Sequence, residues 1–321
     1  AAPLPQPESL PEVYKDNTAH WGGGYDEGFS SFPARAVTFA DFAGIGRRSD
    51  IVLSGNYHQT VALSGDLEEL WRHVNIRGHY PIPYRPRGEA RDHLLCGFHH
   101  LDADASIVGK VCLQDHQDAI YVGPLDDDGS GPDTVLMASG EDGLLIMTEA
   151  YNIHNRVMGH VQRLSIGKFR REVPGLCIAT VLFHHNRGIV SCFDSTAKLL
   201  WSRNFPVMGQ TLQPVLFDDS LEERMLFSGV RPSQGCQGGL IDGTGDLVSL
   251  MPDDGGPGFC TLAYDFDGDG LDEIMVWDYE RIWIYHSDAE VDRAKLMVRE
   301  RPPLYNTSNF QAYYSRPPRR G

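Results

Sequence analysis

The chain repeats one pattern of short strands and turns six times. Each copy has an apolar strand, a polar tip and a second apolar strand: DIVLSGNYHQTVALSG, HLLCGFHHLDAD, TVLMASGEDGLLIM, IATVLFHHNRGIVSCFD, RMLFSGVRPSQGCQGGLID and EIMVWDYERIWIYHSD. The tips lie near residues 58, 99, 140, 184, 231 and 278, so consecutive tips are 41, 41, 44, 47 and 47 residues apart. A further strand precedes most copies, as in HYPIPY and CTLAYDF. A strand repeat of this period is typical of a β-propeller.

The repeat predicts an all-β fold, a single β-propeller. Six units occupy roughly residues 36–290. Residues 1–35 and 291–321 together hold enough chain for one more blade. We therefore favour seven blades closed by the termini, with six or eight left open. In this division, residues 1–35 are an N-terminal extension that contributes to the closing blade, and residues 36–321 are the propeller.

Composition narrows the range of partners. The formal net charge of −16 over 321 residues argues against nucleic acid, which requires a basic face. The longest apolar run, LCIATVLF, is far too short to span a membrane. An acidic substrate would have to be met by a local cluster of cations. We expect a monomer with no nucleic-acid or membrane partner.

One turn carries the ligand pattern of a calcium site. The segment DFDGDGLDEI places carboxylates at alternate positions around a glycine turn and ends in a glutamate: Asp265, Asp267, Asp269 and Glu273. Oxygen ligands wrapped around a tight turn suit a hard cation, so we predict one structural Ca²⁺.

The corresponding turns of other repeats are altered. The segment YRPRGEARDHLL aligns with the calcium turn without a gap and has Arg85, Arg87 and Glu89 where the three aspartates stand, which excludes calcium. The segment PLDDDGSGPDTV keeps Asp126, Asp128 and Asp133 and stays a candidate.

Histidines recur at positions that a propeller brings to one face. The chain entering each inner strand and the loop between the second and third strands both surround the central pocket of a propeller. The entry positions hold His79, His116 and His160. The tips hold His58, His99, His100, His184, His185, Arg187, Arg231, Tyr279 and Arg281. The sequence therefore predicts one pocket lined by imidazoles and guanidiniums.

The residue types in this pocket favour one reaction. No HxH or HExxH spacing supports a tight zinc site, and no GxSxG-like turn supports a serine nucleophile. Imidazoles beside an arginine fit β-elimination of a uronic acid. The arginine neutralises the carboxylate, one neutral side chain removes the C5 proton, and a second group protonates the departing O4.

Three segments resemble propeller polysaccharide lyases of the rhamnogalacturonan-lyase (family 11) type. These are DHQDAIYVGPLDDDG, GHVQRLSIGKF and the tail RPPLYNTSNFQAYYS, and the resemblance covers most of residues 36–315. The related ulvan lyases and L-rhamnose–glucuronate lyases share a histidine from a blade tip, a histidine opening the next inner strand and an arginine from the following tip. By register, the resemblance implies His100 (or His99), His116, His160 and Arg187 as catalytic residues. Arg187 is expected to bind the substrate carboxylate, and His116 or His100 to remove the C5 proton. The competing assignment gives this work to His184 and His185, with Arg187 paired to an acid such as Asp118.

The remaining residues of the face would then bind substrate: His58, His79, His99, His184, His185, Arg231, Tyr279 and Arg281. The chain departs from the family in having no tyrosine placed unambiguously as the acid, with Tyr57 and Tyr279 the nearest candidates. Its calcium turns are also fewer than in the calcium-rich family 11 enzymes.

The six cysteines allow two interpretations. Cys96 with Cys112, and Cys177 with Cys192, flank predicted hairpins and are spaced for disulfides, leaving Cys236 with Cys260. The alternative is six free thiols in a reducing compartment. With disulfides, the protein would be secreted.

Together these features predict a secreted polysaccharide lyase that cleaves a rhamnose–uronic acid linkage in an acidic, rhamnose-containing polysaccharide. The rival hypothesis is a non-catalytic FG-GAP-like propeller that binds glycans or proteins through the same face. Formation of an unsaturated sugar product distinguishes the two.

Overall fold

The computed structural model describes residues 36–55, 59–74, 78–182, 188–205, 208–220, 222–229, 238–252, 254, 260–278, 280–292, 296, 298–303 and 311–320. All regular secondary structure in these residues is β. None of their segments forms a helix with the length and apolar character needed to cross a membrane. The predicted N-terminal extension, residues 1–35, lies outside the described residues.

The strands of the first three sheets follow one another along the chain. The first sheet contains β1 (Ala36–Ala40), β2 (Asp50–Gly55), β3 (Gln59–Leu63) and β4 (Glu69–Val74). The second contains β5 (Ile82–Tyr84), β6 (His93–Cys96), β7 (His99–Leu101) and β8 (Ile107–Lys110). The third contains β9 (Ala119–Gly123), β10 (Thr134–Ser139), β11 (Gly143–Met147) and β12 (Ile153–Val157).

The next three sheets continue the same order. The fourth contains β13 (Val161–Gly167), β14 (Cys177–Leu182), β15 (Ile189–Phe193) and β16 (Leu199–Asn204). The fifth contains β17 (Met208–Val215), β18 (Arg224–Gly229), β19 (Gly239–Ile241) and β20 (Leu247–Leu250). The sixth contains β21 (Cys260–Tyr264), β22 (Glu273–Trp277) and β23 (Ile282–Tyr285), and the tail adds β24 (Tyr313–Tyr314).

Each sheet is an antiparallel meander whose first strand contacts the first strand of the next sheet. First strands such as β9 and β13 are fully buried, whereas fourth strands such as β12 and β20 are largely exposed. Residues that open the first strands therefore lie at the same end of neighbouring sheets. This is the arrangement of propeller blades, and it agrees with the six repeats of the sequence.

The hydrophobic core is divided into layers, each between two consecutive sheets. Phe42 and Val52 of the first sheet pack against Leu94 of the second, and Leu226 of the fifth packs against Ile274 of the sixth. These side chains are at most 1% exposed. Since burying each such apolar side chain contributes about 1.5–3 kcal/mol, stacking of neighbouring sheets, rather than any single sheet, stabilises the fold.

The C-terminal tail lies along the inner strands. β24 pairs in parallel with β13, so the fourth sheet gains a fifth strand at its inner edge. Arg316 then forms a bridge with Glu300, and its guanidinium donates to the carbonyl oxygen of Val122 in β9. The described part of the tail thus joins the fourth sheet and adds no seventh sheet, and seven blades closed by both termini stay a prediction.

The oxidation state of the described cysteines differs from the prediction. Cys96, Cys112, Cys177 and Cys192 are free thiols. Cys96 is buried in β6, whereas Cys112 is exposed after β8. The two side chains therefore lie in different environments and are not joined by a disulfide. Cys177 and Cys192 are also unbonded, although their thiols lie within hydrogen-bonding distance of each other, so neither predicted disulfide within a sheet is formed.

Candidate active site

Two entry segments run side by side at one end of the inner strands. Gly78 and Gln117 form a parallel bridge, and the amide of His79 donates to the carbonyl oxygen of Gln117 at 3.0 Å. A side chain at Gly78 would collide with the Gln117 side chain, which explains the glycine. This pairing brings His79, which precedes β5, against His116, which precedes β9. Their ring centroids are 4.9 Å apart, with the planes nearly perpendicular at 83°.

Both imidazoles face one buried carboxylate. The Nε2 atoms of His79 and His116 each lie 3.6 Å from Oδ1 of Asp118. The side chain of Asp118 is fully buried, and its other oxygen accepts a hydrogen bond from the amide of Gly140 at 3.3 Å. Two histidines that the sequence assigned to separate roles therefore share one acidic partner.

Asp115 holds the opposite side of the His116 ring. Its Oδ1 lies 2.5 Å from Nδ1 of His116, and its Oδ2 accepts from the amide of Glu141 at 2.9 Å. Burial opposes ionisation of both side chains, but their hydrogen bond and mutual attraction lower the pKa of Asp115. Burial likewise lowers the pKa of His116, yet Asp115 and Asp118 together raise it to about 9. This pair of carboxylates favours an imidazolium at His116, and the buried guanidinium of Arg163 also lies near enough to Asp118 to attract it.

His160 opens β13 and lies at the next entry position. Its Nδ1 is 3.0 Å from Oε1 of Glu141, the residue whose amide also binds Asp115. The loop that joins β10 to β11 therefore links His160 to the His79–His116 pair. A carboxylate on Nδ1 favours the tautomer with the proton on Nδ1, which leaves the lone pair on Nε2.

His100 belongs to a different, buried cluster. Its Nε2 contacts Nδ1 of His93 at 2.9 Å, and its Nδ1 lies 2.6 Å from the carbonyl oxygen of Glu149. The rings of Tyr84 and Tyr151 pack around it, and His100 is 4% exposed. Burial lowers the pKa of His100. These partners tie His100 to the layer between the second and third sheets.

His99 and Arg281, the other described residues of the predicted pocket, have side-chain partners outside this cluster. His99 pairs with His73 of β4, with Nδ1 and Nε2 2.9 Å apart. Arg281 is half exposed and pairs with Asp278 in its own turn at 3.0 Å. Six predicted residues lie outside the described part of the chain: His58, His184, His185, Arg187, Arg231 and Tyr279.

The acidic members of the cluster were not among the predicted pocket residues. Asp115 and Asp118 flank His116 in the segment DHQD, and Glu141 follows Gly140 at the third tip. The signal was present, because acids beside an entry histidine are suited to orient it. The histidine pattern alone predicts which positions meet, but it does not predict the carboxylates that control the protonation of the imidazoles.

The predicted calcium turn keeps part of its ligand set. Asp265, Asp267 and Asp269 bring ligand oxygens within 4.8 Å of one another. Oδ1 of Asp265 is buried without a hydrogen-bond partner among the described residues. Oε2 of Glu273 instead accepts the amide of Phe266 at 2.7 Å, so this glutamate is partly engaged in the turn. Three aspartate oxygens with one unsatisfied fit a calcium ion, which would take them as ligands.

Arginines occupy the equivalent turns elsewhere. In the second sheet, Arg85 binds Asp92 and Asp41, both fully buried. In the third, Asp133 pairs with Arg319 of the tail. These guanidiniums supply the positive charge next to the buried carboxylates, in agreement with the loss of the calcium ligands from the second repeat.

Comparison with known proteins gives matches in structure alone. No family model matches the chain, and no curated protein matches it in sequence. Among solved structures, the chain is similar to rhamnogalacturonan lyases. The lyase YesW superposes with a TM-score of 0.63 at 16% identity, covering 96% of this chain and 55% of YesW.

Two further lyases give similar values. The exotype rhamnogalacturonan lyase YesX has a TM-score of 0.59 at 16% identity, with 97% of this chain and 56% of YesX covered. The rhamnogalacturonan lyase PL11 of Bacillus licheniformis has a TM-score of 0.56 at 16% identity, with 88% and 50% covered. The chain thus spans about half the length of these lyases. At this identity the similarity is one of fold.

Proposed function

We propose that the chain is a polysaccharide lyase that cleaves a rhamnose–uronic acid linkage by β-elimination. The observation that carries the proposal is the cluster at the entries of three consecutive inner strands. There His79, His116 and His160 meet three carboxylates, and the two closest entry rings are 4.9 Å apart. The shared fold with rhamnogalacturonan lyases supports the same reaction class.

The base of the reaction is His160 in this proposal. Proton abstraction from C5 needs a neutral imidazole with an accessible lone pair, and Nε2 of His160 is buried in the described structure, so the substrate would have to open access to it. Glu141 on Nδ1 favours that tautomer and stabilises the imidazolium that forms as the proton moves to Nε2. His116 is already held between two acids, so we assign it to positioning instead of proton abstraction.

Arg187 keeps its proposed role as the group that neutralises the substrate carboxylate. A bidentate guanidinium stabilises negative charge most as it grows towards the enolate, so the interaction acts chiefly in the transition state. His100 would support the pocket from the neighbouring layer, since its ring is enclosed by Tyr84 and Tyr151.

The substrate, location and metal content extend the proposal. The substrate is an acidic, rhamnose-containing polysaccharide, and a protein that acts on such a polymer is expected outside the cell as a monomer. Asp265, Asp267 and Asp269 are proposed to bind one structural Ca²⁺, with Glu273 shaping the turn.

The test compares histidines at the entry and on the outer edge. His160→Ala should reduce the formation of unsaturated product about 10²–10⁴-fold, because the general base is lost. His154→Ala, an exposed residue of β12, is the matched control and should retain activity. Equal activity of both variants would overturn the assignment of His160. Glycan binding by the wild-type protein without any product would favour the non-catalytic propeller.

A further inference from the structure

A buried carboxylate oxygen beside the two paired histidines has no hydrogen-bond donor. Oδ1 of Asp118 is without a hydrogen-bond partner among the described residues, although the side chain is fully buried. Leaving a carboxylate oxygen unsatisfied in the interior is costly. Nε2 of His79 and Nε2 of His116 lie at equal distance from it, and the buried guanidinium of Arg163 interacts with the same carboxylate through its charge.

The spacing fits a metal ion better than a hydrogen bond. Each nitrogen lies 3.6 Å from the oxygen, beyond the normal range of an N–H···O bond. A tetrahedral ion with ligand bonds of about 2.1 Å separates its ligand atoms by roughly 3.4 Å.

The surrounding hydrogen bonds are those of a metal-binding histidine. Asp115 is bound to Nδ1 of His116, which fixes the ring and leaves Nε2 directed at Asp118. Metal-ligating histidines usually have such a carboxylate on their other nitrogen. The backbone amide of Glu141 in turn holds Asp115 at 2.9 Å.

We propose that His79 Nε2, His116 Nε2 and Asp118 Oδ1 bind a divalent transition metal of the zinc class. Two imidazoles and one carboxylate suit this class better than Ca²⁺, which prefers oxygen ligands alone. The ion would join the entry segments of the second and third sheets, since His79 precedes β5 and His116 precedes β9. The site is separate from the aspartate turn of the sixth sheet and does not depend on the lyase proposal.

Metal binding would also exclude His116 from acting as the base. Its Nε2 lone pair would be donated to the ion, and its Nδ1 is held by Asp115. The catalytic role that the sequence gave to His116 would then be one of positioning, with His160 left to move the proton.

The test uses Co²⁺ as a spectroscopic probe in the untagged protein after removal of metals by a chelator. We expect one Co²⁺ per chain, with visible absorption bands of a low-coordinate site that Zn²⁺ abolishes in competition. His79→Gln and Asp118→Asn should each weaken binding more than 100-fold. Asp115→Asn, which removes only the outer carboxylate, should weaken it about 10–100-fold.

Two controls make the result specific. His99→Gln removes one member of another histidine pair and should bind Co²⁺ as the wild type does. Asp267→Asn alters the aspartate turn and should leave the Co²⁺ site unchanged. The proposal is overturned if the folded protein shows no such bands, or if His79→Gln binds like the wild type. His79→Gln decides the matter alone if Asp118→Asn does not fold. Because the readout needs no substrate, its failure is distinct from a failure of the lyase proposal.

Discussion

Arg85 donates through Nε to Oδ1 of Asp92 at 3.0 Å, in the turn where the equivalent residue of the sixth sheet is Asp265. The second guanidinium branch of Arg85 binds Asp41 at 2.7 Å. A cation that belongs to the chain therefore balances two fully buried carboxylates. A turn built in this way has no need of calcium, whereas the turn of the sixth sheet has no arginine in its aspartate triplet.

We predict that Arg85→Met destabilises the fold by about 2 kcal/mol, because buried Asp41 loses its guanidinium partner, whereas Asp92 keeps its ion pair with Arg48. Arg47→Met in the same region is the control, since Arg47 is exposed. Urea denaturation of the two variants measures the difference. Equal midpoints for both variants would show that the buried pairs contribute nothing.

Calcium should raise the thermal midpoint of the wild-type protein, because binding to the folded state alone stabilises it. Asp267→Asn should remove that increase. Asp128→Asn, in the third sheet, should leave it intact, because the turn carboxylates there already accept backbone and hydroxyl hydrogen bonds. A calcium-dependent midpoint that survives Asp267→Asn would place the ion elsewhere.

The free energy of unfolding should fall as the pH drops from about 6.5 to 4, because the half-buried pair of His73 and His99 resists protonation in the folded protein. Burial, and then the neighbouring His99, lower the pKa of His73 from 6.5 to about 4, and burial lowers that of His99, which also lies near Lys110. The unfolded chain therefore binds protons in this window that the folded chain does not, and so the free energy of unfolding declines with falling pH.

His73→Gln keeps a donor for His99 and should reduce this decline by an amount on the order of 1 kcal/mol, because the half-buried pair is partly screened by solvent. The exposed His154→Gln is the control. Urea denaturation at pH 7 and pH 4.5 gives the comparison. A steeper decline in His73→Gln than in wild type would reverse the sign and contradict the account.

Thiol counting in denaturant without reductant tests the free cysteines. Burial raises the pKa of Cys96 to about 12, so this thiol is unreactive in the native protein, and only unfolding exposes it fully. With Cys96 and Cys112 both free, Cys112→Ser should lower the count by one. If Cys96 and Cys112 formed a disulfide, the same substitution would raise the count by one.

The fold could be predicted from the sequence because the six-fold repeat gives the order of the strands directly. The entry positions of His79, His116 and His160 followed from the same register, and the structure places the first two in contact. The partners of His100 were not predictable in this way. Its contacts with His93 and the Glu149 carbonyl depend on how two sheets pack, which a strand pattern does not encode.

The carboxylates of the histidine cluster show a second limit on what the sequence can predict. Asp115 and Asp118 lie one and two residues from His116 in a loop segment of the sequence, and acids in loops are usually solvated. Only the bridge between Gly78 and Gln117 brings Asp118 within reach of a histidine from another sheet. The chemistry of the cluster therefore arises from a contact between repeats.

The most direct measurement of the central proposal is the ultraviolet absorbance of the C4=C5 double bond when the purified protein acts on polymers with alternating rhamnose and uronic acid. We predict that absorbance rises with at least one such polymer, and that the rise is lost in His160→Ala and kept in His154→Ala. Cleavage that yields only saturated ends, or no cleavage of any such polymer by the folded protein, would contradict the assignment as a lyase.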